Sequence, residues 1–183
     1  QVYRLHLLRG QVHMSASEYQ EAVVDLRGAV SQGEAMNDSE YTERARNLLG
    51  KAYFLLYNYT LAVENHLRCN TAIENEQVSD PVFSLEVYSN LANDFFRLGE
   101  LEKSIEFYHR ALQTLDDVQQ DSRKFAQKYI EISQRYKSVG KLTMARDYAM
   151  RSLAVYSMRD EQRLVGLTHQ RLGKVLEKQN DLT

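Results

Sequence analysis

The sequence has few of the residues that interrupt regular structure or link a chain covalently. Its 183 residues include one proline, eight glycines, no tryptophan and one cysteine, Cys69. A single cysteine excludes an internal disulfide and fits a reducing compartment, so we expect a cytoplasmic location. Because helix breakers are rare while Ala, Leu, Glu, Arg and Gln are frequent, the chain is predicted to be all-α.

Charge and hydropathy argue against two classes of partner. The formal net charge is −2 at pH 7, which gives no overall attraction to nucleic acid or to an anionic membrane. The most apolar stretch, residues 52–57, is far shorter than the roughly 18 apolar residues that predict a membrane-spanning helix. We therefore expect no direct nucleic-acid contact and no membrane contact from this region. Because the sequence starts at Gln1 and shows no signal peptide, we expect it to be part of a longer protein.

Small residues recur along the chain with a period of about 40 residues. The first set, with spacings of 40, 42, 41 and 40, is Gly10, Gly50, Ala92, Ser133 and Gly173. The second set, twelve residues later, is Ala22, Ala62, Ser104 and Ala145. The third set, seven residues later again, is Ala29, Cys69, Ala111 and Ser152. Small side chains at fixed intervals let two helices approach closely, so each repeat is predicted to be a pair of helices.

This register predicts where the helices lie. The expected helices span residues 2–15, 18–35, 40–56, 59–76, 81–98, 101–117, 122–139, 142–158 and 161–178. Candidate N-caps precede four first helices at Asp38, Asp80, Asp121 and Asp160. No Gly-, Ser- or Pro-rich linker divides the chain, so we expect a single domain over 1–183. Its repeats are predicted at 3–38, 43–78, 85–120 and 126–160, with a partial repeat at 166–183.

The repeat pattern resembles the tetratricopeptide repeat (TPR) family. A small residue, a large residue, a short turn such as residues 98–101, and two further small residues follow in that order. The large residues one helical turn before the hairpin turn are His13, Tyr53, Phe95 and Tyr136. The family unit is about 34 residues, so this is a long-repeat form. The resemblance implies a right-handed α-α superhelix, a TPR-like solenoid of about four and a half helix pairs.

Residues that could carry chemistry are expected to serve packing. His6 and His13 lie seven residues apart on one helical face, which is also a spacing for a metal pair. The register, however, places His6, His13, His66 and His169 where other repeats need packing side chains. No HExxH motif and no paired CxxC motif occurs, so we expect no metal site.

Cys69 occupies a small-residue position and is expected to be a buried core thiol. The alternative is a nucleophile assisted by His66, three residues earlier on the same helix. Neither GxGxxG nor GxxxxGK[ST] is present, which gives nucleotide binding no support. We therefore expect no enzyme activity and no cofactor.

The resemblance implies that protein or peptide ligands bind in a concave groove lined by the first helix of each pair. The candidate peptide-binding residues are Arg44, Asn47, Lys51, Phe54, Asn93, Phe96, Arg97, Gln134 and Lys137. Amide side chains can hold both N–H and C=O of an extended peptide, while Lys and Arg pair with carboxylates. Since cations outnumber acids on these helix faces, the groove is predicted to be basic and its partner to carry acidic or carboxylate groups.

Repeats of 40–42 residues also resemble those of bacterial regulators. On that resemblance the array would be the sensor or regulatory region of a larger signalling or transcription regulator. One alternative is a structural spacer that self-associates, with a homodimer formed through the apolar side of 161–178. Another is that the charged helix faces serve only to keep the surface solvated.

Overall fold

The structure is a computed structural model that describes residues 4–118, 122–158 and 162–180. Within these ranges every regular element is an α-helix, so the all-α prediction is confirmed there. The helices are α1 (Arg4–Ser15), α2 (Tyr19–Met36), α3 (Ser39–Leu55), α4 (Tyr59–Glu74), α5 (Pro81–Arg97), α6 (Leu101–Val118), α7 (Ser122–Ser138), α8 (Leu142–Met158) and α9 (Gln162–Asn180). Each boundary falls within two residues of its predicted position.

Two of the predicted N-caps are confirmed. The Asp38 carboxylate accepts a hydrogen bond of 3.0 Å from the backbone N–H three residues later, at the start of α3. The Asp80 carboxylate accepts one of 2.9 Å from the N–H two residues later, and Pro81 opens α5 where its missing N–H costs nothing. The other two predicted caps, Asp121 and Asp160, lie outside the described residues.

The turn inside each helix hairpin has one recurring conformation. The residues in the left-handed region are Ser17, Tyr57, Gly99 and Gly140, with φ of 63°, 61°, 80° and 75°. In all four turns the next residue donates its N–H, at 2.9 Å, to the carbonyl oxygen five residues earlier. This bond closes the end of the first helix in the manner of a Schellman motif. The turns repeat with the spacing of the small residues, so the sequence repeat is also a backbone repeat.

The chain forms two compact units, and each is described by itself. Unit 1 is Gln1–Glu100 and unit 2 is Leu101–Thr183. In unit 1 consecutive helices from α1 to α5 pack against each other, and α3 also contacts both α1 and α5. The first helices α1, α3 and α5 therefore form one layer, and α2 and α4 form the other. In unit 2, each of the helices α6 to α9 packs against the next. The predicted single domain and its repeat boundaries remain predictions.

The predicted small-residue sets lie in the interior. Every member of the second and third sets has no exposed surface, namely Ala22, Ala62, Ser104, Ala145, Ala29, Cys69, Ala111 and Ser152. In the third set the Ser152 hydroxyl donates to the Ala126 carbonyl oxygen at 2.8 Å, across from α8 to α7. The prediction that these positions let helices approach closely is confirmed.

Two glycines of the first set, Gly10 and Gly50, each lie against a large side chain of the second helix of their pair. A Cβ on Gly10 would come within 2.7 Å of the Leu26 side chain, and one on Gly50 within 2.5 Å of His66 Nε2. Both distances are shorter than real Cβ contacts, so no larger residue fits without movement. In each hairpin the large residue follows the glycine by sixteen positions. The pairing is therefore a property of the repeat.

Gly50→Ala is expected to lower the free energy of unfolding by about 1–3 kcal/mol, because the new methyl group overpacks against His66. Gly173→Ala is the matched control, since it holds the same register position on α9 and nothing lies within 4 Å of its Cβ. Its improved helix propensity should raise stability by about 0.5–1 kcal/mol. Urea denaturation of both variants measures the difference. Equal changes in the two variants would contradict the packing argument.

Candidate functional site

Three candidate residues of α3 form polar bridges to α5 or to its N-cap. The side chain of Asn47, in a residue only 2% exposed, accepts a hydrogen bond of 2.9 Å from Asn90 Nδ2. Arg44 Nη2 pairs with Asp80 Oδ2 at 2.9 Å, and Lys51 Nζ pairs with Glu86. The positive charges of Arg44 and Lys51 are thus balanced by acidic partners, and the Asn47 side chain forms a hydrogen bond within the protein. In this structure these residues join the second repeat to the third.

Two other candidates, Phe54 and Arg97, contact each other at the ends of α3 and α5. The Arg97 guanidinium lies 5.8 Å from the centroid of the Phe54 ring and 6.0 Å from that of Tyr59. Phe54 and Tyr59 meet edge to face with centroids 5.4 Å apart. Arg97 is exposed and Phe96 is half-buried. The structure therefore places an aromatic and cationic surface patch where the sequence predicted ligand contacts.

A cavity of about 170 Å³ lies beside this patch, between α3 and α5. We refer to it as the α3–α5 cavity. Its apolar lining comes from Met14, Phe54 and Leu55, and amide groups come from Asn90 and Asn93. Of the predicted site residues, the structure brings Lys51, Phe54 and Asn93 together here.

The floor of the α3–α5 cavity is a buried pair formed by His66 and Asp94, each 1% exposed. His66 Nδ1 lies 2.5 Å from Asp94 Oδ2, and His66 Nε2 lies 3.2 Å from the backbone oxygen of Asn47. A carbonyl oxygen only accepts, so Nε2 donates to it, and the contact of Nδ1 with Asp94 Oδ2 requires a second proton shared between the imidazole and the carboxyl group. Burial raises the pKa of the Asp94 carboxyl, although the bond to His66 acts in the opposite direction.

The core position predicted for His66 is confirmed, but its bond to Asp94 was not predicted. In the repeat register Asp94 occupies the position of Val12 and Ala52, while His66 occupies that of Leu26. Two polar residues at apolar positions of neighbouring helices are the signal that could have identified the pair, because buried polar groups need partners.

Unit 2 has a different cavity, of about 210 Å³, between α7 and α9. We refer to it as the α7–α9 cavity. Its lining includes the candidates Gln134 and Lys137, and also Arg171 and Lys174 of α9. Among the described residues, no carboxylate lines this cavity and none of these three cations has an ion-pair partner. Within the part of the chain that the structure describes, positive charge is therefore unbalanced here, whereas Arg44 and Lys51 of α3 have acidic partners. Arg171 is a cavity residue that was not predicted.

The remaining histidines are only partly as expected. His6 Nδ1 and His13 Nε2 lie 3.1 and 3.4 Å from the carboxylate of buried Asp25, so both have the packing roles that the register predicts. His169 is exposed on α9, so the packing position predicted for it is wrong. Among the described residues, α9 packs mainly against α8, and the face of α9 that carries His169 is exposed. Within the described residues, no cluster of His, Cys, Asp and Glu side chains is suited to a metal ion.

The predicted core position of Cys69 is confirmed. Its thiol has no exposed surface and contacts the backbone oxygen of Glu43 at 3.5 Å. Burial raises the pKa of the thiol, which favours the unreactive protonated form. The two ring nitrogens of His66 are bonded to Asp94 and Asn47, so this histidine is not placed to activate the thiol.

Cys69 is expected to react with a thiol reagent such as 5,5′-dithiobis(2-nitrobenzoate) only after the protein is denatured. The buried, protonated thiol should remain unmodified in the native protein for the time in which a free cysteine reacts fully. Absorbance of the released thiolate measures the reaction, with the urea-denatured protein as the control. Rapid labelling of the native protein would show that the thiol is accessible and would revive a nucleophilic role.

Comparisons with known proteins agree with this geometry. A tetratricopeptide repeat model, TPR_10, matches residues 84–115. No curated protein sequence matches the chain. Among solved structures, BtubC (BKLC) from P. vanneervenii aligns with a TM-score of 0.80 and 18% identity, covering 94% of this chain and 70% of that one.

Two further solved structures have the same fold. The apo form of RapI aligns with a TM-score of 0.86 and 14% identity, over 99% of this chain and 65% of RapI. The TPR-like repeats of a putative kinesin light chain from Podosopora anserina align with a TM-score of 0.76 and 19% identity. The alignment covers 100% of this chain and 93% of that one.

The architecture is that of an α-helical repeat protein. A tetratricopeptide-type repeat is present at residues 84–115, in agreement with the residue pattern, and the fold is that of a TPR-like helical solenoid. The described part of the chain contains no helix both long and apolar enough to span a membrane.

Proposed function

We propose that this chain binds an extended protein or peptide segment that carries acidic groups, and that it has no catalytic role. TPR-like helical repeats generally serve as scaffolds for protein–protein interaction. The observation that supports an acidic partner is the α7–α9 cavity, where Lys137, Arg171 and Lys174 lie together and no described lining residue is a carboxylate. Lys and Arg side chains around a partly enclosed space form strong, charge-assisted hydrogen bonds to carboxylates.

The candidate residues divide by role within this proposal. Gln134 and Lys137 in unit 2 contact the acidic segment. The Gln134 amide forms hydrogen bonds with the peptide backbone, and the Lys137 ammonium donates to a carboxylate. In unit 1 the partner contacts the surface formed by Phe54, Phe96 and Arg97, together with Asn93. Arg44, Asn47 and Lys51 then act indirectly, because their bonds to α5 and its N-cap hold the third repeat in place.

The cellular setting is also part of the proposal. The array acts as the sensor or regulatory region of a larger bacterial signalling or transcription regulator, in the cytoplasm and without direct contact to nucleic acid or membrane. Its support is the repeat length of 40–42 residues and the buried reduced thiol of Cys69. Identification of the domains encoded next to this region tests that setting.

A random dodecapeptide library displayed on phage tests acidic-segment binding. Selection on the wild-type chain is expected to enrich peptides rich in Asp and Glu. The double variant Lys137→Glu/Lys174→Glu should lower the affinity for a selected synthetic peptide by about tenfold or more. The reason is that like charges then meet at the α7–α9 cavity. Fluorescence anisotropy of the labelled peptide measures the affinity, and circular dichroism checks that the variant is folded.

The matched control is Lys141→Glu/Arg163→Glu, which makes the same charge change at exposed positions that line neither of the two cavities. It should bind within about twofold of the wild type, since only long-range charge is altered. Equal losses in the two variants would mean that net charge alone drives binding. Selection of peptides without an acidic bias would contradict the proposal.

Self-association is a second candidate function, favoured by the surface of α1. Leu5, Leu8 and Val12 form a stripe on this helix and are 53%, 57% and 65% exposed. The position of Leu5 corresponds to Ala45 of α3, which is fully buried against Ala29 of α2. On α1 the equivalent face lacks a neighbour among the described residues, and exposed apolar surface of this kind favours association.

Sedimentation velocity over a range of concentrations tests self-association. A homodimer predicts a sedimentation coefficient that rises with concentration and a return to monomer in Leu8→Glu. Leu167→Glu is the companion variant, because Leu167 is 44% exposed on α9, the helix that the sequence suggested as the dimer surface. A wild-type monomer at every concentration would rule this candidate out.

A further inference from the structure

The carboxylate of Asp94 uses one of its two oxygens within the protein. Oδ2 is bonded to His66 Nδ1, while no described residue donates a hydrogen bond to Oδ1. The side chain is 2% exposed, yet it lines the α3–α5 cavity. The Asn90 side chain is similar, because its Nδ2 donates to Asn47 and its oxygen receives no donor from the described residues. Two acceptors without a donor from the described residues therefore border one small space, where a ligand that carries donors could bond to both.

Three of the other residues that line the α3–α5 cavity are apolar, and Lys51 and Asn93 line it as well. Met14, Phe54 and Leu55 supply hydrocarbon and aromatic surface. The positive charge of Lys51 is offset by its pairing with Glu86. The volume, about 170 Å³, is below the 300–1,000 Å³ usual for small-molecule sites, so the space suits one side chain. Apolar walls with acceptors at the floor match a long aliphatic stem that ends in a cationic donor.

We propose that the α3–α5 cavity binds one arginine or lysine side chain of the partner, with its stem against Met14 and Phe54 and its head donating to Asp94 Oδ1 and the Asn90 oxygen. This inference rests on the proposed function only in that the side chain belongs to a bound peptide. Burial raises the pKa of Asp94, because the bond to His66 does not offset the full cost of removing the carboxylate from water. The cationic head of a bound side chain stabilises the charged carboxylate further. The partner then carries a basic residue as well as acidic ones.

The test uses single-residue probes on the full chain, so it does not depend on finding the partner. Nα-acetyl-L-arginine amide is titrated into protein labelled at its methionine methyl groups and followed by NMR. We expect a saturable shift of Met14 with a Kd on the order of 1 mM, while Met150, exposed on α8, stays unchanged. Nα-acetyl-L-citrulline amide has nearly the same shape without the charge and should bind at least about tenfold more weakly.

Asp94→Asn should remove the preference for arginine over citrulline. Asp25→Asn is the matched control, because Asp25 is also buried and bonded to histidine but does not line the cavity. It should bind arginine like the wild type. If Asp94→Asn does not fold, the comparison of arginine with citrulline on the wild type still decides the question.

Two results would overturn the inference. Equal binding of arginine and citrulline would show a cavity that selects for shape or apolar surface alone. No Met14 shift at about 10 mM probe, tenfold above the expected Kd, would show that the cavity is not a side-chain site. Acidic phage peptides that bind the wild type and Asp94→Asn equally, with no arginine binding, would leave the proposed function intact and remove only this inference.

Discussion

The close approach of a small residue on one helix to a large residue on the next determines how each hairpin packs. Gly10 faces Leu26 and Gly50 faces His66, in both cases at a separation that leaves no room for a Cβ. The fully buried second and third small-residue sets extend the same contact along the helix pair. Every later feature depends on this spacing, because it fixes which side chains of the first helices face away from the interior and which face the neighbouring repeat.

One substitution within this packing scheme creates the floor of the cavity in unit 1. Where the first repeat has Leu26, the second has His66, and the imidazole brings polar atoms into a position that hydrocarbon fills in the first repeat. Asp94 of α5 forms a hydrogen bond with it, and the distance between Asp94 Oδ2 and His66 Nδ1 is 2.5 Å. The two cavities consequently differ in chemistry. The α3–α5 cavity combines acceptors with apolar side chains, while the described lining of the α7–α9 cavity contains cations and no carboxylate.

Much of the fold could be predicted from the sequence because its determinants are local and periodic. Helix boundaries follow from small residues, caps and turns within a few positions of one another. The polar contacts of the candidate site are not local in this sense. Lys51 pairs with Glu86, 35 residues away, and Asn47 with Asn90, 43 residues away. Counting charges on the helix faces showed an excess of cations, but it could not show which cations have an acidic partner in the next repeat.

The most direct test of the packing claim is a double-mutant cycle between positions 50 and 66. If the glycine is required because the imidazole lies against it, then adding a methyl group at position 50 should cost little or nothing once His66 is replaced by alanine. The coupling free energy from urea denaturation of the wild type, Gly50→Ala, His66→Ala and the double variant should then exceed about 1 kcal/mol. Strictly additive changes would contradict the account, since the two positions would then not constrain each other.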